Sequence, residues 1–497
     1  MNRSILTLSL LTTTALSTPA WAEITPQEVW EDLKSFMQAN GYTVTGTESP
    51  SGGALAVTDV VMTNVAPDAQ DALTVELGTI TLTDTGEAVS IGFEETMPIV
   101  VNTVSDSGNP VEATLEYSMT ALDMQAEGTP EAVRYAYTAD AVALDLQQLM
   151  VGEDEKTPDD ARFSVTLSGI AGSSLSEVSD TRSRAQDLQI DAVDYDVYYA
   201  EVGSVRSEVR GNMVNVTLDS DITMPLEADS ADMEDPFAQG VLARALFTHQ
   251  GNTVNTQGNA TTYRATSAAG SVSVELTDIG IGYGIASQDL EMEFASPDVP
   301  FPLNATAEES AMKVSVPVVP TETAQDYAFE LDLLGIELDE AIWQLFDPGE
   351  ALPRDPATLQ IALGGKMRQT VNLFDDSALV AVDEGDQLAE VETLDVRDLT
   401  FGAAGALLTG SGSFTMDNEG EMRGRFPEPY GEITFELAGA NALIDRLVGM
   451  GLLPQEQAMG ARMMMSMFAR PAGDDLLTST IEIKRNGQIL ANGQRLQ

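Results

Sequence analysis

The 497-residue chain carries 79 acidic residues against 24 basic ones, a formal net charge of −55, which leaves no basic footprint for nucleic acid. It contains no cysteine, so neither disulfides nor a lipid-modified cysteine can hold or anchor it. The length exceeds one ordinary hydrophobic core, and roughly two to four units of 100 to 200 residues are expected.

The first segment, MNRSILTLSLLTTTALSTPAWAE, has one cation at Arg3, an apolar run from Ile5 to Leu16, and an Ala20-Trp21-Ala22 cleavage pattern. It reads as a secretory signal peptide cleaved after Ala22, and the predicted destination is the periplasm. Cleavage removes Arg3, leaving 79 acids against 23 bases and a charge of −56. No later stretch is apolar for long enough to span a membrane as a helix, and an aromatic content of 6% is low for the girdles of an outer-membrane barrel. The acidity is that of a solvated, self-repelling surface; a dedicated calcium function is the sharper alternative.

The mature chain opens with a predicted helix in EITPQEVWEDLKSFMQANGYTV. Thr25 can cap it, Pro26 suits its first position, Glu28 completes a capping box and Gly41 can end it. Val29, Trp30, Leu33, Phe36 and Met37 then share one face, a core stripe.

From residue 42 onward the period is two. ALTVELGTITLTD, RFSVTLSG, VNVTLDSDITM and GSVSVELTDIGIGYG alternate apolar with Thr, Ser, Asp or Glu, as strands with one wet face do. Frequent SDSGNP, AEGTP and QGN punctuation predicts turns between antiparallel strands.

Two stretches share an order of features. Tyr135-Ala136-Tyr137 leads through Leu144-Asp145 to Pro158, Asp160 and a Phe163–Gly169 strand. Tyr327-Ala328-Phe329 leads through Leu338-Asp339 to Pro353, Asp355 and a Leu359–Gly365 strand, at an offset that grows only from 192 to 196 residues. An internal duplication explains this; the plain resemblance of any two alternating strands is the alternative. In both stretches an Asp, Asp145 or Asp339, is placed to cap a short helix, LQQLM or EAIWQLF, and Asp160 and Asp355 read as turn residues rather than catalytic acids.

The tail is predicted as strands RDLTFGA, ALLTGSGSFTMD and GEITFELAG around a DNEG turn. A helical pair follows, NALIDRLVGMGLL with Asn441 as candidate cap, then QEQAMGARMMMSMFA, before closing strands LLTSTIEIKR and ILANGQRL. Met459, Met463, Met464, Met465 and Met467, with Phe468, surround the second helix. Burial against a sheet is the simpler reading, and an adaptable hydrophobic contact surface is the alternative.

The segments WQLFDPGEALPRDPATLQIALGG, at 343–365, and ITFELAGANALIDRLVGMGLLPQEQA, at 433–458, running into FARPAGDD, resemble a family of bacterial envelope proteins, domain of unknown function 2125. That resemblance implies export and a β-rich fold, and it brings no assigned activity and no catalytic residues. A looser similarity, in repeated amphipathic strands, joins the chain to long β-groove envelope proteins that handle lipids.

Catalytic signatures are scarce. His249 is the only histidine, so no multi-histidine site or complete His-based triad has its parts beyond that one residue. There is no Gly-x-Ser-x-Gly elbow, GIGYG at 280–284 is not a dinucleotide fingerprint, and LGGKMR at 363–368 is not a phosphate loop. Asp194 and Asp196 form one of many acidic pairs, and Trp30 and Trp343 are the only tryptophans left as sugar platforms after cleavage. The acidic stretches 227–236 and 375–392 lack the order of an EF-hand loop. No metal, cofactor or catalytic residue is predicted.

The expected architecture is mainly β with a few short helices: extended antiparallel sheets in two related β-rich modules, 23–175 with the N-terminal helix and 176–370, closed by an α+β segment, 371–497. The expected role is a non-enzymatic envelope protein whose partly uncovered apolar face binds a hydrophobic ligand, such as lipid, or an envelope protein. A structural or assembly factor is the alternative, and an envelope glycan hydrolase the third reading.

Overall fold

The computed structural model describes residues 24–65, 72–105, 108–200, 206–226, 237, 239–258, 260–375, 379, 388–418 and 427–496. The predicted signal peptide, the acidic stretch 227–236, most of 375–392 and the end of the DNEG turn lie outside the described residues. Strand makes up 67% of the described residues and helix 10%, so the protein is mainly β.

Every strand pairing is antiparallel, and the pairings join into one continuous sheet. The strand Ala161–Val178 runs through the expected module boundary at 175/176. Pairing also crosses the boundary at 370/371, from Ala357–Gln369 to Ala389–Ala403. Twice a long strand faces two short ones laid end to end. Ala72–Asp84 pairs with Val89–Gly92 and Thr96–Val104, which lead through two further short strands to Ala132–Val151. Arg206–Pro225, Leu242–His249 and Asn252–Gly258 repeat this scheme up to Gly280–Ala295. The scheme matches Ala132–Val151 with Gly280–Ala295, whereas the sequence similarity matches it with Gln325–Leu338.

Helix α1, Pro26–Ala39, forms as its caps dictate: Thr25 accepts from the Glu28 amide, and Glu28 reaches back to the Thr25 amide. Its Val29, Trp30 and Leu33 are buried in a core with Leu55, Val57 and Ile80. Trp30 Nε1 donates to Glu48 at 2.8 Å, satisfying the polar end of a buried ring. The Glu48 carboxyl is held below its usual range by the Gln27 and Trp30 hydrogen bonds.

One predicted helix is a strand. LQQLM lies within Ala132–Val151, and Asp145 accepts from Ser164 Oγ at 2.6 Å instead of capping. Leu146 pairs with Leu115 and Leu149 with Ala113, with one residue bulged between them. The bulge puts Leu146 and Leu149 on the same face, so a β-irregularity mimics the i, i+3 spacing of a helix. EAIWQLF does form a helical turn, α2, Glu340–Trp343, with Asp339 accepting from the Ala341 amide at 2.6 Å. Asp160 is a turn residue, its carboxylate accepting from the Thr157 amide and hydroxyl.

The alternation of apolar residues changes phase within the long strands. Phe163, Val165 and Leu167 are followed by Ile170; Leu188 and Ile190 by Val193 and Tyr195; Tyr283 and Ile285 by Leu290 and Met292. The pairing passes over Gly169 opposite Asp191, and over Asp289 opposite Glu308, with Gly169 at φ 62° and Asp289 at φ 49°. An inserted residue in each strand reverses the pleat twice over, so the apolar side chains stay on one face through the bend.

Candidate functional site

Residues directly opposite each other on neighbouring strands share a face. From Tyr135 these partners run through Ser174, Gln186, Ser220, Ala245 and Val274 to Tyr283. The row continues through Val314, Phe329, Leu363 and Val396, then Gly412, Ile433 and Ile481. It crosses fourteen strands, about 60 Å at ~4.8 Å per strand. Tyr135 touches α1 through a 2.7 Å hydrogen bond to the buried Asp32, and Ile481 lies at the other end beneath the C-terminal helices.

Of those helices, α3 (Ala440–Gly449) and α4 (Gln455–Phe468), the second covers a cavity of about 700 Å³. Its floor is Leu408, Phe435, Leu437 and Leu477, and its roof is Met464, Met465 and Phe468. The size lies within the range of about 300–1,000 Å³ typical of small-molecule pockets.

Three sets of polar contacts hold the roof. Asp475 accepts from the Asn441 amide at 3.0 Å and the Ala442 amide at 2.9 Å, capping α3 from the neighbouring hairpin. Asn441 is thus inside the helix, and the predicted cap is replaced by a carboxylate distant in sequence. Burial opposes ionisation of Asp475, but the Ala442 and Asn441 hydrogen bonds outweigh it and hold the carboxyl below its usual range. Arg462 joins α4 to α3 through Asp445 at 2.6 Å, and Ser479 Oγ donates to the Phe468 carbonyl at 2.5 Å, fixing the end of α4 to the sheet.

The structure brings three of the six predicted contact residues to the cavity: Met464, Met465 and Phe468. Met459, Met463 and Met467 lie at helical spacing away from the cavity, 56%, 71% and 53% exposed, and Met464, which borders the cavity, is itself 54% exposed. Burial of the whole cluster against the sheet is therefore not observed; one helix cannot turn five methionines toward a single floor. The floor residues were missed because alternation shows which residues share a strand face but not which strands are neighbours.

Between its two helix-covered ends this face stays accessible: Tyr283, Ile285 and Phe401 are 41%, 42% and 51% exposed. The opposite face is polar. There Arg162 and Arg210 hold Asp196 at 2.9 and 3.2 Å, and Asn212 donates to Asp194 at 2.8 Å, so this acidic pair is already engaged. His249 is buried at the end of Leu242–His249, where Nδ1 accepts from the Gly251 amide at 3.4 Å. Desolvation by burial lowers its pKa. Among the described residues no cluster of three or more His, Cys, Asp or Glu could hold a metal, and no helix is long and apolar enough to cross a membrane.

Residues 243–493 match the family described as an uncharacterised protein conserved in bacteria, domain of unknown function 2125. The chain belongs to that family. The matched region contains the cavity roof and all of the cavity lining except Leu496, together with the Asp347–Arg354 brace of the WQLFDPGEALPR segment. In that brace a carboxylate only 1% exposed takes two backbone amides and the Arg354 guanidinium, which lies 4.2 Å from the Trp343 ring centroid. No curated protein and no solved structure gives a significant match.

Proposed function

We propose that the protein is an exported, non-enzymatic envelope protein that binds a hydrophobic ligand on the apolar face of its sheet, with the α4 cavity as its best-formed site. The observation that carries the reading is the run of that face from α1, through Ala245 and the apolar residues after it, to a cavity walled mainly by Leu, Ile, Phe and Met. Burying an acyl chain there gains about 0.8 kcal/mol per CH₂ group. The periplasmic location rests on the signal-like start of the sequence.

Native mass spectrometry of residues 23–497, exported to a periplasm and purified without detergent, tests this. Co-purifying acyl-chain masses are expected in the wild type. They are lost in Met464→Asp/Met465→Asp with the circular dichroism of the sheet unchanged. A clean apo mass after incubation with membrane lipids would overturn the proposal. The exposed Met459, Met463 and Met467 stripe favours the second reading, an assembly role through protein contacts. A glycan-hydrolysing role has less support, because Asp194 and Asp196 are tied up in ion pairs and hydrogen bonds.

A further inference from the structure

The α1 end of the apolar face carries two cations. Arg182 and Arg184 lie two residues apart on Thr181–Ala200 and so project from the same face, the one that carries Gln186 and Leu188. The Arg184 guanidinium sits 3.8 Å from the Phe36 ring centroid and 5.5 Å from that of Tyr135. Stacking of this kind fixes the group without using its N–H donors. Arg182 Nη1 and Arg184 Nε are buried with no hydrogen-bond partner among the described residues. The ion pairs of the described residues include neither arginine.

The neighbouring acid, Asp32, is engaged elsewhere, accepting from the Tyr135 hydroxyl at 2.7 Å and the Ser176 hydroxyl at 3.0 Å. Two positive groups thus face one carboxylate, a local excess of positive charge in a chain of net charge −55. Desolvation also lowers the Arg184 pKa, so its charged form is short of solvation. A buried donor without a partner costs about 1–3 kcal/mol, more if charged, and an anion would supply both acceptors and charge.

What lies beside the cations defines the rest of the ligand. Arg184, Ile222, Ala243, Leu276, Ile281 and Val316 are successive cross-strand partners. That row is a cationic end followed by about 19 Å of apolar surface at ~4.8 Å per strand. We infer that Arg182 and Arg184 hold the anionic head group, carboxylate or phosphate, of an amphiphile whose apolar chain lies along the row from Ile222 toward Val316. This deepens the proposed hydrophobic-ligand binding and rests on it.

The test compares binding of palmitate, hexadecanol and inorganic phosphate to the full mature chain by calorimetry. Wild type binds palmitate at least about tenfold more tightly than hexadecanol. That ratio falls toward one in Arg184→Gln and in Arg182→Gln, the second being a variant that leaves the Phe36 stack in place. Equal affinities in the wild type, or a ratio unmoved in Arg182→Gln and Arg184→Gln variants that melt like wild type, would overturn the head-group assignment and leave hydrophobic binding standing. Binding of neither amphiphile would overturn both. Inorganic phosphate binding as tightly as palmitate would overturn the amphiphile assignment in favour of a free-anion site.

Discussion

Removing the Asp475 carboxylate tests how the cavity roof is held. It accepts two backbone amides at the start of α3 and the Asn441 side chain at 2.9 Å, and no residue of the helix itself provides a side-chain cap. A lost N-cap costs typically ~1 kcal/mol, and hydrogen bonds to a charged acceptor are worth ~1.5–3 kcal/mol. Asp475→Ala is therefore expected to destabilise the roof by about 2–3 kcal/mol, and Asp475→Asn, which keeps one acceptor, by about 1 kcal/mol. Hydrogen exchange of residues 440–468 is the suitable assay, because a long sheet need not unfold in one step and the roof can open on its own. Opening should speed about 30- to 150-fold in the alanine variant, with exchange in Ala132–Val151 unchanged. The folded-state pKa is depressed, so the stabilisation is complete above the ordinary carboxylate value and is lost as pH falls through the folded one. The difference between wild type and variant should accordingly close in acid. Unchanged exchange across 440–468 at neutral pH, or a difference that persists below the folded pKa, would refute the reasoning.

Tyr135→Phe removes one of the two donors to buried Asp32 and should lower stability by about 1–3 kcal/mol in denaturant titration, whereas an exposed tyrosine such as Tyr199 should tolerate the same change. Leu437→Asp places a charge on the cavity floor and should weaken binding of a fluorescent acyl probe by at least about tenfold; unaltered binding would move the ligand elsewhere on the face. His249, the single histidine, should titrate below its ordinary value by nuclear magnetic resonance. Its contribution to stability is present above about pH 6.5 and lost as pH falls from there through the lower folded-state pKa. With a net charge of −55, the melting temperature should rise when salt is raised from about 10 mM to about 150 mM, where the screening length falls from about 30 Å to about 8 Å.

Several features were legible because their causes are local. The capping box of α1, the turn at Asp160 and the α2 cap at Asp339 each depend on residues within four positions of one another, and each forms as read. LQQLM was misread because periodicity reports which residues share a face, and a bulged strand and a helix can give the same answer over five residues. The Asp475 cap was not legible: its partners are Asn441 and Ala442, and only folding of the hairpin brings them together.

The sequence by itself determined the class of structure and its two-sided character. Period-two alternation selects strands with one apolar and one polar face, and the turn residues make their neighbours antiparallel. Tertiary structure alone decided the register. Phase changes at Gly169, Asp191 and Asp289 look like interruptions in one dimension, yet in the sheet they fall opposite one another or beside Glu308 and keep the apolar face continuous through the bend. The site depends on that register, since Leu408, Phe435, Leu437 and Leu477 come from three different strands. Pairing energy, summed over whole strands, sets which residues become neighbours, and no local stretch of sequence contains that sum.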